Sequence, residues 1–285
     1  MKVTTMKKIR IVADSSADVT SLEGMEFATA PLKIITADAE YIDNAELDTE
    51  KMAEELFTYK GKSSTSCPNT ADWLTAFGDA DLIFCVTITA TLSGSYNSAM
   101  IAKREYEELH PDRKVFVFNS LSTGPEMLLI MEEARRLILE GAEFAEVCRR
   151  AEEYSKDTGL VFILESLKNL ANNGRVSPVV AKMAGLLGIR LIAMASEQGD
   201  IKPLHKCRGE RKALEVVAGE LKALGYSGGK LRIGHCLGAD AAQELKSLML
   251  SEFPTADVRV YKLGGLCSFY AEKGGILIGF ERNRD

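Results

Sequence analysis

The stretch "DLIFCVTITATLSGSYNSAM", Asp81 to Met100, decides how this chain is read. Its first half is a continuous apolar run, the pattern of a strand covered on both faces of a parallel sheet. Its second half crowds hydroxyl residues around one glycine and then opens a helix near Gly94. Strand, polar turn and helix form the repeating unit of an open α/β sheet. "KIRIVADSS", Lys8 to Ser16, and "KVFVFNS", Lys114 to Ser120, follow the same grammar, each an apolar run with polar residues at its C-terminal end. Three strand ends are therefore expected to converge.

Working outward, "TSCPNTADWLTAF" predicts a helix with Ser66 as its cap and Pro68 in its first turn. Pro125 opens another, with Met127, Ile130, Met131, Ala134, Leu137 and Ile138 on one stripe and Gly141 as a stop. Phe144, Val147, Cys148, Ala151 and Tyr154 repeat the pattern before Gly159. Beyond Gly159 the grammar changes. "GLVFILESL" and "GIRLIAMASEQGDIKPL" read as strands around a helical "SPVVAKMAGLLG", with "EQGD" as a hairpin turn, and "KLRIGH", "DVRVYK" and "ILIGF" alternate as half-buried strands do. The expected architecture is two α/β domains. Residues 1–160 form a Rossmann-like parallel sheet with flanking helices, and residues 161–285 form an α/β domain with a mixed or antiparallel sheet.

Composition bounds the function. The 285 residues are 46% hydrophobic and 27% charged, an ordinary balance for a folded protein. A net charge of −6 offers no overall electrostatic footprint for nucleic acid. Asp14 interrupts the N-terminal segment before a signal-peptide core develops, and no uncharged apolar run reaches the roughly 18 residues that span a bilayer. A cytoplasmic protein without stable membrane insertion is expected. The six cysteines form no CxxC and suggest neither a zinc knuckle nor a disulfide framework. No His, Cys and carboxylate cluster has ligand spacing, so neither a metal nor a cofactor is expected.

In an open parallel sheet ligands bind beyond the C-terminal strand ends, where the following helices present free N–H groups. Asp14, Ser15 and Ser16, then Ser93 and Gly94, then Asn119 and Ser120 all fall there, while Thr65 and Ser66 precede a predicted helix. Taken singly these are ordinary cap and turn residues. Taken together they suit an anion held without a fixed cation, and a carboxylate fits hydroxyl and backbone donors, with Gly94 allowing close approach.

The residues also resemble a known family. "DSSAD" at Asp14 to Asp18, "APLKI" at Ala30 to Ile34, "EYID" at Glu40 to Asp43, "TSCPN" at Thr65 to Asn69, "LSGSYNSA" at Leu92 to Ala99, "NNGRVS" at Asn172 to Ser177 and "KCRGERKA" at Lys206 to Ala213 are similar to motifs of the DegV family of bacterial fatty-acid-binding proteins. The match runs in order over most of the chain. The resemblance implies two α/β domains enclosing a lipid tunnel, with the carboxylate held by Thr65 and Ser93. It implies a non-enzymatic protein of the FakB type, which presents its bound fatty acid to a separate ATP-dependent kinase for acyl-phosphate formation. Arg175 and Arg208 match arginines of the pattern and would face the phosphate or the partner, since guanidinium pairs well with phosphate oxygens. Two departures stand out. The family's DS after the third strand is Asn119 and Ser120 here, and Tyr270 takes the place of a histidine, counted back from Gly279 and Phe280. Tyrosine still donates a hydrogen bond but does not titrate near neutral pH.

Two other classes compete. A serine hydrolase would use Ser93 as nucleophile and His235 as base, but no GxSxG elbow is present. A nucleotide-binding enzyme lacks both GxGxxG and GxxxxGK[ST]. The basic segment "IKPLHKCRGERKA" reads as a solvated helix start or as a dock for an acidic partner.

Overall fold

The structure is a computed structural model that describes residues 7–181 and 188–282. The first half runs β1 (Ile9–Asp14), a 3-10 turn (Ser15–Ala17), β2 (Glu26–Ala30), β3 (Lys33–Ile35), β4 (Glu40–Ile42), α1 (Thr49–Thr58), β5 (Ser64–Ser66), α2 (Thr70–Phe77), β6 (Leu82–Thr87), α3 (Ser95–Leu109), β7 (Lys114–Asn119), α4 (Gly124–Leu139) and α5 (Phe144–Ser155). The second half runs β8 (Thr158–Leu164), α6 (Lys168–Asn172), α7 (Pro178–Ala181), β9 (Ile189–Ala195), β10 (Ile201–Arg208), α8 (Glu210–Ala223), β11 (Lys230–His235), α9 (Ala239–Glu252), β12 (Asp257–Lys262), α10 (Gly265–Ala271) and β13 (Ile276–Glu281).

The apolar runs become the strands they predict. β1, β2, β6 and β7 form a parallel sheet in the order β2-β1-β6-β7, and every residue of β6 is buried, as its unbroken hydrophobicity requires. One face is covered by α2 and α3 through Trp73, Phe77 and Tyr106. The other face packs on α4 and α5 through Met127, Ile130, Met131 and Val147. The second half is a six-stranded mixed sheet in the order β10-β9-β8-β13-β11-β12, antiparallel except for the β11–β12 pair. α8 and α9 cover one of its faces with Leu214, Val217, Leu245 and Met249. The fold is thus two α/β units, the first parallel and the second mixed.

Two local expectations are corrected. Ser66 does not cap α2: it ends β5, and Asn69 is the cap, its side chain accepting the Asp72 N–H while Asp72 accepts the Asn69 N–H. That reciprocal capping box outcompetes a serine placed before Pro68. Ile201–Arg208 form strand β10, so the helix of the basic segment begins only at Glu210, after Gly209 at φ 85°. The "EQGD" turn forms as read, with Gly199 N–H donating to the Ser196 carbonyl. Of "SPVVAKMAGLLG", residues 182–187 lie outside the described residues.

The strands β3, β4 and β5 make a third, antiparallel sheet in the order β4-β3-β5, which the sequence pattern does not reveal. Helix α4 also departs from a one-sided stripe. Leu128 and Leu129 are buried along with the stripe residues, because α4 lies between the two large sheets. Its carboxylate Glu132 meets Arg232 of β11, which is fully buried, at 2.7 and 3.0 Å. Its first turn sits on Gly279 of β13: a Cβ there would lie 2.5 Å from the Pro125 carbonyl carbon. Gly279→Ala is accordingly expected to force α4 off β13 and to cost about 2 kcal/mol, the usual scale for overpacking, read as a lowered midpoint in urea unfolding.

Candidate functional site

A cavity of about 300 Å³ opens between the two halves, at the low end of the range of small-ligand sites. Its apolar wall combines Leu32 and Ile88 from the first half with Phe162, Leu164, Ile201 and Leu277 from the second. Polar groups cluster on one part of the lining: Thr65, Ser66, Ser93, Arg175 and Tyr270, with the Gly94 backbone beside them.

Local structure explains each placement. Thr65 sits in the middle of β5, opposite Ile34 of β3, so the small sheet presents its side chain. Ser93 lies in the turn between β6 and α3, where its N–H donates to the Thr89 carbonyl and its Oγ accepts the Ser95 N–H at 3.3 Å. The cavity therefore meets the N-terminal end of a 15-residue helix, which favours negative charge. Gly94 sits close to its neighbours: a Cβ there would be 3.2 Å from the Cys67 sulfur, which would have to shift by a few tenths of an ångström. Tyr270 comes from α10 and its hydroxyl lies 2.7 Å from the Thr65 Oγ1. Arg175 donates through Nε to the Leu92 carbonyl at 3.3 Å and through Nη1 to the Asn173 carbonyl at 2.6 Å, and stacks over the Tyr270 ring at 5.9 Å. Leu92, Arg175, Tyr270 and Thr65 form one continuous line of contacts.

Six of the seven residues singled out in the sequence thus share one cavity. Arg208 does not. It is exposed at the end of β10, seven residues beyond the lining residue Ile201, or roughly 20 Å along a strand. The other strand-end polar residues build rather than line the site. Asp14 is fully buried, and its Oδ2 accepts the Ile88 N–H at 2.9 Å and the Ser95 hydroxyl at 2.6 Å, tying β1 to the turn that carries Ser93. Asn119 Oδ1 accepts the Ala90 N–H at 3.0 Å and steadies the same turn. Among the lining residues that escaped the sequence reading are Thr123 and Cys267, whose hydroxyl and thiol are 3.3 Å apart. Their sequence surroundings carry no signal for a site. His235 lies on β11 outside this lining, His110 packs on Tyr106, and His205 pairs with Glu220, so among the described residues no histidine hydrogen-bonds Ser93.

Comparison with known proteins agrees with this architecture. A family model described as an uncharacterised protein of the DegV family matches residues 8–283. The chain belongs to the DegV family. A DegV domain-containing protein of Streptococcus pneumoniae is 41% identical over 276 residues, covering 95% of this chain and 98% of the relative. The crystal structure of a DegV family protein from Eubacterium eligens loaded with heptadecanoic acid superimposes with a TM-score of 0.94 at 46% identity, covering 96% of this chain and 100% of that one. The Streptococcus pneumoniae fatty acid kinase B3 protein loaded with linoleic acid gives a TM-score of 0.94 at 40% identity, covering 97% and 100%.

The electrostatics of this DegV site are set by burial. Burial pushes the Tyr270 phenol upward against the pull of Thr65 and Arg175, so it stays a neutral donor. No described helix is long and apolar enough to cross a membrane, and no described group of His, Cys, Asp and Glu could hold a metal. Behind the cavity, burial and then the neighbouring Asp43 raise the Asp18 carboxyl well above its ordinary range. Asp18 Oδ1 accepts the Gly264 N–H at 2.9 Å, whereas its enclosed Oδ2 finds no hydrogen bond of good geometry among the described residues. A carboxyl raised on folding contributes its full stability below its unfolded value and loses it as pH rises toward the folded value. Asp18→Asn, which keeps an acceptor for Gly264 and suits the left-handed φ of 60°, is expected to melt close to the wild type at pH 4 and progressively above it toward pH 8. A melting difference independent of pH would contradict that assignment.

Proposed function

We propose that this chain binds a long-chain fatty acid, with its carboxylate at the polar end of the inter-half cavity and its chain along the apolar wall. The observation that carries the reading is the convergence of Thr65, Ser93, Tyr270 and Arg175 at one part of an otherwise aliphatic cavity. Relatives more than a third identical over nearly the whole chain are loaded with heptadecanoic and linoleic acids, which supports it.

The energetics are sufficient. Burying about fifteen methylenes at roughly 0.8 kcal/mol each gives a gross term near 12 kcal/mol, from which association and ordering costs are subtracted. The hydroxyls of Thr65, Ser93 and Tyr270, together with N–H groups at the start of α3, supply the donors that a buried carboxylate requires. Ser66 and Gly94 shape the same polar end.

The protein would then act as the presenting subunit for a separate fatty acid kinase, not as the catalyst. Arg175 reaches the cavity and is the group to meet the phosphoryl oxygens, while Arg208, exposed and distant, fits a contact with the partner. No step of phosphoryl transfer is assigned to this chain's own residues, and a soluble, cytoplasmic setting follows from the same role.

Native mass spectrometry of the purified protein, followed by denaturing extraction, tests the ligand class: one acid of fourteen to eighteen carbons, approximately stoichiometric, is expected. Thr65→Ala combined with Ser93→Ala is expected to weaken oleate binding by at least about 2–3 kcal/mol, roughly 30- to 150-fold, since a buried carboxylate loses its compensation. A folded double variant with unchanged affinity would sink the head-group assignment. Arg208→Ala is expected to leave oleate affinity intact and to slow acyl-phosphate formation by an added fatty acid kinase. Unaltered turnover would remove Arg208 from the partner contact.

A further inference from the structure

The three-stranded sheet has no counterpart in the periodicity of the sequence, yet it touches the site twice. Its strand β5 carries Thr65, and its strand β4 ends immediately before Asp43. Both β4 and β5 pair with β3, where Ile34 stands opposite Tyr41 on one side and Thr65 on the other.

Asp43 is 4% exposed and its carboxylate is fully engaged. Oδ1 accepts the Gly265 N–H at 2.7 Å and Oδ2 accepts the Leu266 N–H at 2.9 Å, both from the first turn of α10. Burial raises the Asp43 carboxyl, against the pull of the Leu266 and Gly265 N–H groups and of the Ser15 hydroxyl. Asp43 N–H donates in turn to the Leu32 carbonyl at 2.9 Å, fixing the carboxylate to the chain that enters β3. The helix so held carries Leu266, Cys267, Tyr270 and Ala271 into the cavity lining, and Tyr270 returns to Thr65 at 2.7 Å. The contacts close a ring: Thr65 on β5, β3, β4, Asp43, the start of α10, Tyr270, and Thr65 again.

We propose that Asp43 is a positioning residue for ligand binding: by gripping the first turn of α10 it sets Tyr270 against Thr65, so that the small sheet fixes the spacing of the polar end. This rests on the fatty-acid reading only for its functional consequence. The geometry itself belongs to the protein. A short helix gripped at one end and hydrogen-bonded at the other cannot rotate or slide without breaking one of the two contacts. Two charge-assisted hydrogen bonds at the gripped end are stronger than the neutral hydroxyl pair at the other. Asp43 therefore dictates where Tyr270 lies, and not the reverse. The packing admits little slack, since a Cβ at Gly265 would stand 2.8 Å from Asp43 Oδ1 and 2.6 Å from a Leu47 methyl.

The test is a thermal-melt cycle of Thr65→Val and Tyr270→Phe, run once with Asp43 and once with Asp43→Asn. Asparagine turns an amide toward one of the two helix N–H groups and so loosens the grip. With Asp43 the two hydroxyl deletions are expected to be non-additive in melting temperature, because either one removes the shared bond. In the Asp43→Asn background they are expected to add. Equal non-additivity in both backgrounds overturns the proposal. The second readout is oleate affinity: Asp43→Asn is expected to weaken it several-fold, and to have almost no further effect once Tyr270→Phe is present. Independent, multiplicative losses would mark Asp43 as merely structural and also overturn it. Should Asp43→Asn fail to fold, Gly265→Ala pushes on the same contact from the helix side and is carried through the same cycle. A wild-type protein that binds no oleate while the melt cycle behaves as expected refutes the fatty-acid reading and leaves the positioning role standing.

Discussion

One helix shared by two sheets is the constraint on which the rest of the molecule depends. α4 fills the space between the parallel and the mixed sheet, and its first turn lies against the bare backbone of β13 at Gly279. A helix buried on both sides must be apolar nearly all round, and where it is not, its polar groups need buried partners. Glu132 takes Arg232, and Glu126 accepts the Thr158 hydroxyl at 2.7 Å. With the sheets held at this separation, the strand ends beyond the N-terminus of α4 face each other across a gap that side chains do not fill. The cavity is a consequence of that spacing.

The gap is kept open by buried carboxylates as much as by apolar packing. Asp14 reaches from the end of β1 to the backbone of Ile88 and the hydroxyl of Ser95, while Asp43 and Asp18 bind the N–H groups at the start of α10. Burial raises all three carboxyls, with coulombic contributions among them. Such an arrangement costs stability that a purely apolar interior would not lose. In return it fixes loops and a short helix that have too little hydrophobic surface to fix themselves.

Much of this was legible in the sequence, and what was not has a physical reason. The long strands announced themselves as unbroken or alternating apolar runs, α4 and α5 as apolar stripes at helical spacing, and α3 by the polar turn that opens it near Gly94. β3, β4 and β5 have three residues apiece, too few for a period of two to be read. Their order follows instead from pairings between residues tens of positions apart. The sequence reading put the cap of α2 at Ser66, before a proline, whereas the pairing of β5 claims Ser66 and the Asn69–Asp72 capping box starts the helix. Thr65 and Ser93 were found from motifs around them, and Tyr270 only by counting back from Gly279 and Phe280. Asp18 and Asp43 close the DSSAD and EYID motifs, but what they hold was not legible, because the N–H groups they bind lie 246 and 222 residues further along the chain. No local pattern can report such a contact.

Tyr270 stands where the family resemblance implies a histidine, and on the fatty-acid reading this changes the character of the polar end. A histidine there would gain and lose a charge near neutral pH, whereas a buried phenol pushed upward remains neutral throughout that range. The standing positive charge on the cavity lining is then that of Arg175. A guanidinium has five N–H donors, and the Leu92 and Asn173 carbonyls use two of them, which leaves three for other partners. A carboxylate is satisfied by the hydroxyls and the start of α3 without that charge. An acyl phosphate is not, because it carries additional negative charge that neutral donors solvate but do not balance. On the proposed reading, distinct groups serve the two states: the hydroxyls would hold the fatty acid, and the three remaining donors of Arg175 would meet the charge that a partner adds.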